Sequence, residues 1–346
     1  MVDHKYSENP LSDIWKRLLK YSYGSNIHKE TGIDDENIIN SISSSIIQAH
    51  EYFTASHDVT LNTAPLLMYY GCVNLFFGAT AILTKSVPII ENHGATITNV
   101  SSSNSIGEIE IHLSGSSEGA FSTFNRIFSN NAPFPRAWKI YELFSYIPDI
   151  KYEFEECYSG IRSNCIPIEI VKRKNDRLER IQLTDLKEDF ENISIVDFEK
   201  AYLTPQQTNK YIILHQKIDS DEIGIFSIGG QKSLIAYTEK EKKDFYLNQF
   251  MSFFLGLYSL SMLSRYYPTK WYPFVQKDDT GEKGLIEDFL AISERKLPNL
   301  ILNLITGKEI HFSSNTVGTV DLSKDYDPDD VKKIVHDEIN KSRGNL

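Results

Sequence analysis

The chain has 346 residues, of which 41% are hydrophobic and 24% charged. These are globular proportions, and they exclude a fibrous repeat or a largely disordered chain. Asp and Glu outnumber Lys and Arg by 47 to 36, a formal charge of -11, which argues against general nucleic-acid binding by phosphate neutralisation but allows a local basic pocket.

Asn9-Pro10 and Ser12 signal a helix start, with Ile14, Leu18 and Leu19 on one face and Gly24 as its stop. Asp34-Asp35 begins a second helix carrying Ile38, Ile39, Ile42, Ile46, Ile47 and Tyr52 at helical spacing to about Asp58. Asn62 or Thr63 caps a third, which tolerates Pro65 in its first turn and ends near Lys85. The texture then changes. The segment GEIEIHL alternates as a strand, with Ile109, Ile111 and Leu113 on one side. Phe121 to Phe128 reads as a strand or a short helix, and Arg136 to Tyr146 as a helix.

Strands are expected over Cys165 to Lys172 and Leu178 to Thr184, joined by a turn at Arg173 to Asp176. More are expected over Tyr211 to Lys217, Gly224 to Ile228 and Ser233 to Thr238, with Gly229-Gly230 as a hairpin turn. A long aromatic helix follows from Glu239 to Tyr267. Another runs from Glu282 to Ile305, in which Pro298 predicts a kink or a break. Lys324 to Asn345 is polar, with a short helix from Asp329.

The reading is an α+β protein, predominantly helical. Residues 8–94 plus 240–306 form a helical core from the N- and C-terminal segments. Residues 95–239 form a β-rich middle subdomain, and 307–346 a polar tail with a short helix. Two seams of small or polar residues, Gly71-Asn74-Gly78 and Asn248-Ser252-Gly256-Ser259, suggest that the third helix and the long aromatic helix pack on each other. Val59 to Thr84 and Tyr246 to Ser264 carry no charge, but their Asn, Gln and Ser content and lack of a basic flank favour buried helices over membrane spans. Three cysteines without CxxC spacing, and a polar N-terminus without an apolar leader, point to the cytoplasm.

Motifs for common chemistries are missing. The sequence holds no GxxxxGK[ST] or GxGxxG, and its single GxSxG match, Gly115 to Gly119, lies in a serine-rich loop. His50 and His57 are seven apart rather than the four of a zincin, and the acidic run Asp325 to Asp330 lacks the glycine and glutamate of a calcium loop. No metal or cofactor is therefore expected. The basic run Lys172 to Arg180 reads as a solvated hairpin tip. What remains is a set of polar residues inside apolar blocks: Asn74, His93 and Arg265, with Tyr69, Tyr267 and Trp271 beside them. If the two helices pack, Arg265 and His93 approach each other, and an Arg, His and Tyr pocket would suit an anionic small molecule such as a nucleotide. The alternative is that Arg265 caps carbonyls and the tyrosines are core.

PLLMYYGCVNLFFGA (Pro65 to Ala79) followed by His93-Gly94, and LYSLSMLSRYYPTKW (Leu257 to Trp271) followed by FLAISERKLPNLILNLI (Phe289 to Ile305), resemble the two signatures of the YaaC-like family of bacterial proteins. The resemblance clearly covers about a third of the chain. It implies a bacterial, cytoplasmic protein and carries over no catalytic residue. The residues favour a ligand- or partner-binding, regulatory protein, in a homo-oligomer or with a protein partner, within a bacterial stress or phage-defence system. An enzyme on nucleotides or RNA is an alternative, although Arg126, Arg136 and Arg265 lack the nearby helix His of HEPN-type ribonucleases. A structural subunit of a larger complex is another.

Overall fold

A computed structural model describes residues 3–114, 119–128, 137–172, 179–183, 193–195, 211–213, 224–238, 248–278 and 280–313. In chain order these form β1 (Asp3–Tyr6), α1 (Pro10–Leu18), α2 (Gly24–Thr31), α3 (Glu36–Ser56), α4 (Ala64–Thr84), β2 (Ala95–Thr98), β3 (Glu110–Leu113), α5 (Ala120–Phe128), β4 (Ala137–Lys139), α6 (Ile140–Phe144), α7 (Lys151–Cys157), β5 (Cys165–Lys172), β6 (Glu179–Leu183), β7 (Ile193–Ile195), β8 (Tyr211–Ile213), β9 (Ile225–Phe226), β10 (Lys232–Thr238), α8 (Gln249–Tyr266), α9 (Pro268–Lys277), α10 (Lys283–Thr306) and β11 (Ile310–Ser313). The fold is α+β and predominantly helical.

Side-chain caps explain three of the helix starts. Asn9 accepts from the Ser12 N–H, Asp35 from those of Asn37 and Ile38, and Asn248 from that of Met251. Each side chain satisfies a donor that the first turn leaves without a carbonyl. Gly24 does not stop a helix. A 3-10 turn over Leu19–Ser22 follows α1, Gly24 begins α2, and Gly32 ends α2 in the left-handed region at φ 69°. Residues 137–139, expected to be helical, form an edge strand instead, because Trp138 pairs with Ile111 and buries its ring. Helix α10 runs through Pro298 unbroken. Its length is held against α1, α4 and β11, so packing carries it past the missing hydrogen bond.

Three sheets are described. Strands β2, β3 and β4 are antiparallel in that order, and β7-β10-β5-β6-β8 form a second antiparallel sheet with β9 paired to β10. The β9–β10 hairpin turns at Gly230, φ 87°, as the Gly-Gly pair predicted. The third sheet pairs β1 with β11 in parallel, Asp3 opposite Ile310 to Tyr6 opposite Ser313. It joins the two ends of the described chain, and the stretch after Gly307 is thus not wholly a tail. The aromatic helix expected from Glu239 begins instead at Gln249, because Asn248 is extended (φ -69°, ψ 168°) and caps it. The expected turn at 173–176, most of the basic tip, residues 239–247 and the terminal helix lie outside the described residues.

The core is one continuous apolar cluster running through all the main helices. Helices α4 and α8 do pack together, sharing Phe76 and Phe254 (ring centroids 6.0 Å apart) and Tyr69 and Tyr258 (5.6 Å). The reason differs from the one the seams suggested. Gly71 and Gly78 face α3, where an added Cβ would lie 2.9 Å from Phe53 and 3.1 Å from Ile46. Gly256 faces α10, where a Cβ would meet Phe289 at 2.6 Å. The glycines bring α3 and α10 close; aromatic rings fill the α4–α8 contact. Among the described helices, only α4 is long and apolar enough to cross a membrane, and 61% of its most apolar window is buried within the molecule.

Candidate functional site

The end of α8, the segment before β2 and the first half of α4 meet at the surface. His93 lies between two tyrosine rings, Tyr69 and Tyr258, each 5.5 Å away. Its Nδ1 shares a 2.7 Å hydrogen bond with the Tyr69 hydroxyl. The loop is fixed from behind: the Phe121 N–H donates to the His93 carbonyl, and the Gly94 N–H to Asn92 Oδ1 at 2.9 Å. Gly94 has φ 75°, and a Cβ there would lie 3.1 Å from the Phe121 backbone nitrogen. Glycine at 94 is therefore required by the positive φ and the close backbone approach to α5.

Arg265, exposed at the end of α8, donates to the Tyr70 hydroxyl at 3.1 Å and lies 4.8 Å above the Tyr266 ring. Tyr70 in turn stacks on Tyr52, 5.8 Å between centroids. Burial and then the Arg265 charge hold His93 below its ordinary pKa of 6.5, so the imidazole is neutral at neutral pH. Burial raises the Tyr69 hydroxyl far above the usual phenol range and pushes Tyr258 up to about 12, with Tyr267 and Tyr266 adding to the latter. Both therefore stay protonated. Tyr258 uses its proton on the Ala95 carbonyl at 2.6 Å. The result is an exposed guanidinium in an aromatic rim beside a neutral, half-buried imidazole.

Of the six residues singled out in the sequence, Tyr69, His93 and Arg265 come together. Tyr267 sits next to them, half-buried, as the link between α8 and α9. Asn74 does not join: its amide donates to the Tyr70 carbonyl at 2.9 Å, one turn back in its own helix. Trp271 is 2% exposed and packs on Phe274, so it belongs to the core. Arg265 does not cap its helix through its side chain; it reaches across to Tyr70. His50 meets Trp15 edge to face, and His57 contacts Glu294. Among the described residues, no three His, Cys, Asp or Glu side chains are grouped to hold a metal.

A second polar cluster lies between α10, β9 and β11, around a cavity of about 100 Å³. Arg295, Lys296, Asn299 and Asn303 reach it from α10, with His311 from β11 and Gln249 from the start of α8. Lys296 and Asp149 form a buried ion pair at 2.9 Å, their side chains 7% and 3% exposed. The sequence held a signal for this region, since Arg295 and Lys296 interrupt an apolar helix. What it lacked was the partner, 147 residues away.

His311 tests the electrostatics of this region. Burial, then the positive charges of His4, Lys296 and Arg295, hold its pKa at about 4, while Asp149 pulls the other way. The unfolded imidazole takes its proton near 6.5. His311 therefore contributes stability that is complete above that value and is lost as pH falls towards 4. Urea unfolding at pH 7 and pH 5 should show the His311→Gln variant losing less stability on acidification than the native chain, by on the order of 1 kcal/mol after allowing for solvent screening. Equal losses would contradict the assigned environment.

Compared with known proteins, the family described as YaaC-like Protein matches residues 10–305. No curated protein and no solved structure matches the chain.

Proposed function

From the premise that the chain belongs to the YaaC-like family, we propose that it is a cytoplasmic binding or regulatory protein that holds a nucleotide, phosphate on Arg265, at the Arg265–His93 cluster. One observation carries this reading: an exposed guanidinium is held in place by Tyr70 and Tyr266 beside a neutral His93. A pre-positioned Arg fork binds phosphate well, and neighbouring tyrosine faces accept a base by stacking. The acidic chain elsewhere disfavours long nucleic acid, which supports a small ligand.

The test is calorimetric titration of the purified chain with ATP, AMP and inorganic phosphate. Arg265 is exposed, so Arg265→Ala should remain folded and bind ATP about tenfold or more weakly, with Arg265→Lys intermediate. A folded Arg265→Ala that binds as tightly as the native protein would end this reading.

The second reading, an enzyme on nucleotides or RNA, draws on the same His93. A neutral imidazole beside a fixed cation is a suitable general base. Chromatography of the titration mixtures distinguishes the two: intact nucleotide supports binding, and released product supports catalysis. The proposal includes a protein partner or self-association through the exposed Tyr266 and Tyr272. It also includes a role in a bacterial stress or phage-defence system, which unchanged stress survival and phage plating of a deletion strain would remove.

A further inference from the structure

We infer that His93 is a second phosphate ligand at the Arg265 cluster, offering an N–H from Nε2, and that Tyr69 is the positioning residue that fixes the imidazole in this form. Resting on the nucleotide reading above, this makes the cluster a site of donors, suited to the unprotonated oxygens of a phosphomonoester.

The 2.7 Å bond between the Tyr69 hydroxyl and His93 Nδ1 can run in either direction. Tyr69 decides which. Its side chain is 0% exposed, and Nδ1 is the one partner of its hydroxyl among the described residues. If the hydroxyl accepted from an Nδ1–H, its own hydrogen would be buried with no acceptor. That penalty exceeds what an ordinary hydrogen bond returns. The hydroxyl therefore donates to Nδ1. A neutral imidazole carries a single N–H, so the proton of His93 sits on Nε2. Nε2 makes no hydrogen bond among the described residues and is not buried, so its N–H is open to a ligand.

The groups facing the ring are Tyr69 from α4 and Tyr258 and Arg265 from α8. The Tyr258 proton is spent on the Ala95 carbonyl, and the Tyr69 proton on Nδ1. Arg265 gives one N–H to the Tyr70 hydroxyl and keeps four. A ligand here meets a guanidinium and an imidazole N–H, and neither side chain offers it a lone pair. Phosphate oxygens accept from both, and an ammonium would be repelled by Arg265. His93 with its proton on Nε2 acts as a donor and not as the general base of the catalytic reading. The same bond resists acid. A second proton would have to enter at Nδ1 and would leave the Tyr69 hydroxyl as a buried donor without an acceptor. This adds to burial and the Arg265 charge, which hold His93 below its ordinary 6.5.

The test is NMR titration of the full chain carrying isotope-labelled histidine, with calorimetry using AMP. The His93 signal is assigned as the one missing from the double variant Tyr69→Phe with His93→Phe. Its midpoint should lie below 6.5 in the native chain. In Tyr69→Phe it should rise by about half a pH unit or more, because the bond that opposes protonation is gone. A bond running the other way would favour the imidazolium, and its loss would lower the midpoint. The double variant removes both partners together, so it leaves no stranded hydroxyl and should fold even if Tyr69→Phe does not. It should bind AMP about tenfold more weakly than the native chain, the effect of one hydrogen bond to a charged group. A midpoint that falls or stays unchanged in Tyr69→Phe, or AMP bound as tightly by the folded double variant as by the native chain, would overturn the inference with the nucleotide reading intact. A native chain that binds no AMP would instead end the nucleotide reading, and the phosphate contact of His93 with it.

Discussion

Replacing Glu282 with alanine should cost about 3–5 kcal/mol of folding stability, because it leaves three buried donors without an acceptor. Glu282 lies just before α10 and is 1% exposed. Its Oε2 accepts the Ile106 N–H at 2.8 Å, and its Oε1 accepts the Gly107 N–H and the Tyr158 hydroxyl, both at 2.6 Å. One carboxylate thus ties the turn before β3, the end of α7 and the start of α10. The approach is so close that a Cβ on Gly107 would sit 2.2 Å from the Tyr158 oxygen and 2.9 Å from Glu282 Oε1. Solvent has little room to replace the lost oxygens. Glu282→Gln keeps one acceptor but turns an amide N–H₂ towards a donor, so it should fall between alanine and the native residue. Urea unfolding followed by circular dichroism measures both. A Glu282→Ala loss under about 1 kcal/mol, an ordinary surface value, would show that the clasp does not hold these segments together.

Glu282 also shows why parts of the fold were legible in the sequence and parts were not. The long helices were readable because caps and apolar spacing are local: Asp35 and Thr63 mark two starts within a residue or two, while the Asn248 cap of α8 was passed over because the apolar pattern extends on both sides of it. The parallel pairing of Asp3–Tyr6 with Ile310–Ser313 was not readable. Four residues are too few for a periodicity, and the partner lies at the opposite end of the described chain. The glycine seams were visible, but a seam names no partner; Gly71 serves α3, and Gly256 serves α10. The same limit applied at the surface cluster. Tyr69, His93 and Arg265 were noticed as polar groups in apolar blocks, and so was Asn74. Only coordinates distinguish a side chain aimed at a neighbour from one that bonds back to its own helix. Arg295 and Lys296 were visible as charges, while the orphaned atoms of Gln249 and Asn299 beside them are properties of packing and leave no trace in residue type.

Lys296→Met should destabilise the protein by about 3–5 kcal/mol, the usual consequence of stranding one member of a buried ion pair. The stranded group is Asp149, whose side chain is 3% exposed. Each member of the pair also holds the backbone around β9. The Lys296 ammonium donates to the Phe226 carbonyl, and Asp149 Oδ1 accepts the Ile228 N–H. Two elements far apart in sequence, α10 and the 3-10 turn over Pro148–Ile150, thereby hold β9 and the residues just after it. Replacing both partners, as in Asp149→Leu with Lys296→Met, removes the charges together but still orphans those two backbone groups. The double variant should therefore be more stable than the sum of the single losses implies, yet less stable than the native chain, with a coupling of about 1–3 kcal/mol. Hydrogen exchange gives a local readout: the Ile228 amide should lose protection in Asp149→Leu, while amides in the middle of α4 keep theirs. Strictly additive losses, or an Ile228 amide that exchanges at the same rate in that variant, would mean that the hairpin is held by its pairing with β10 rather than by the ion pair.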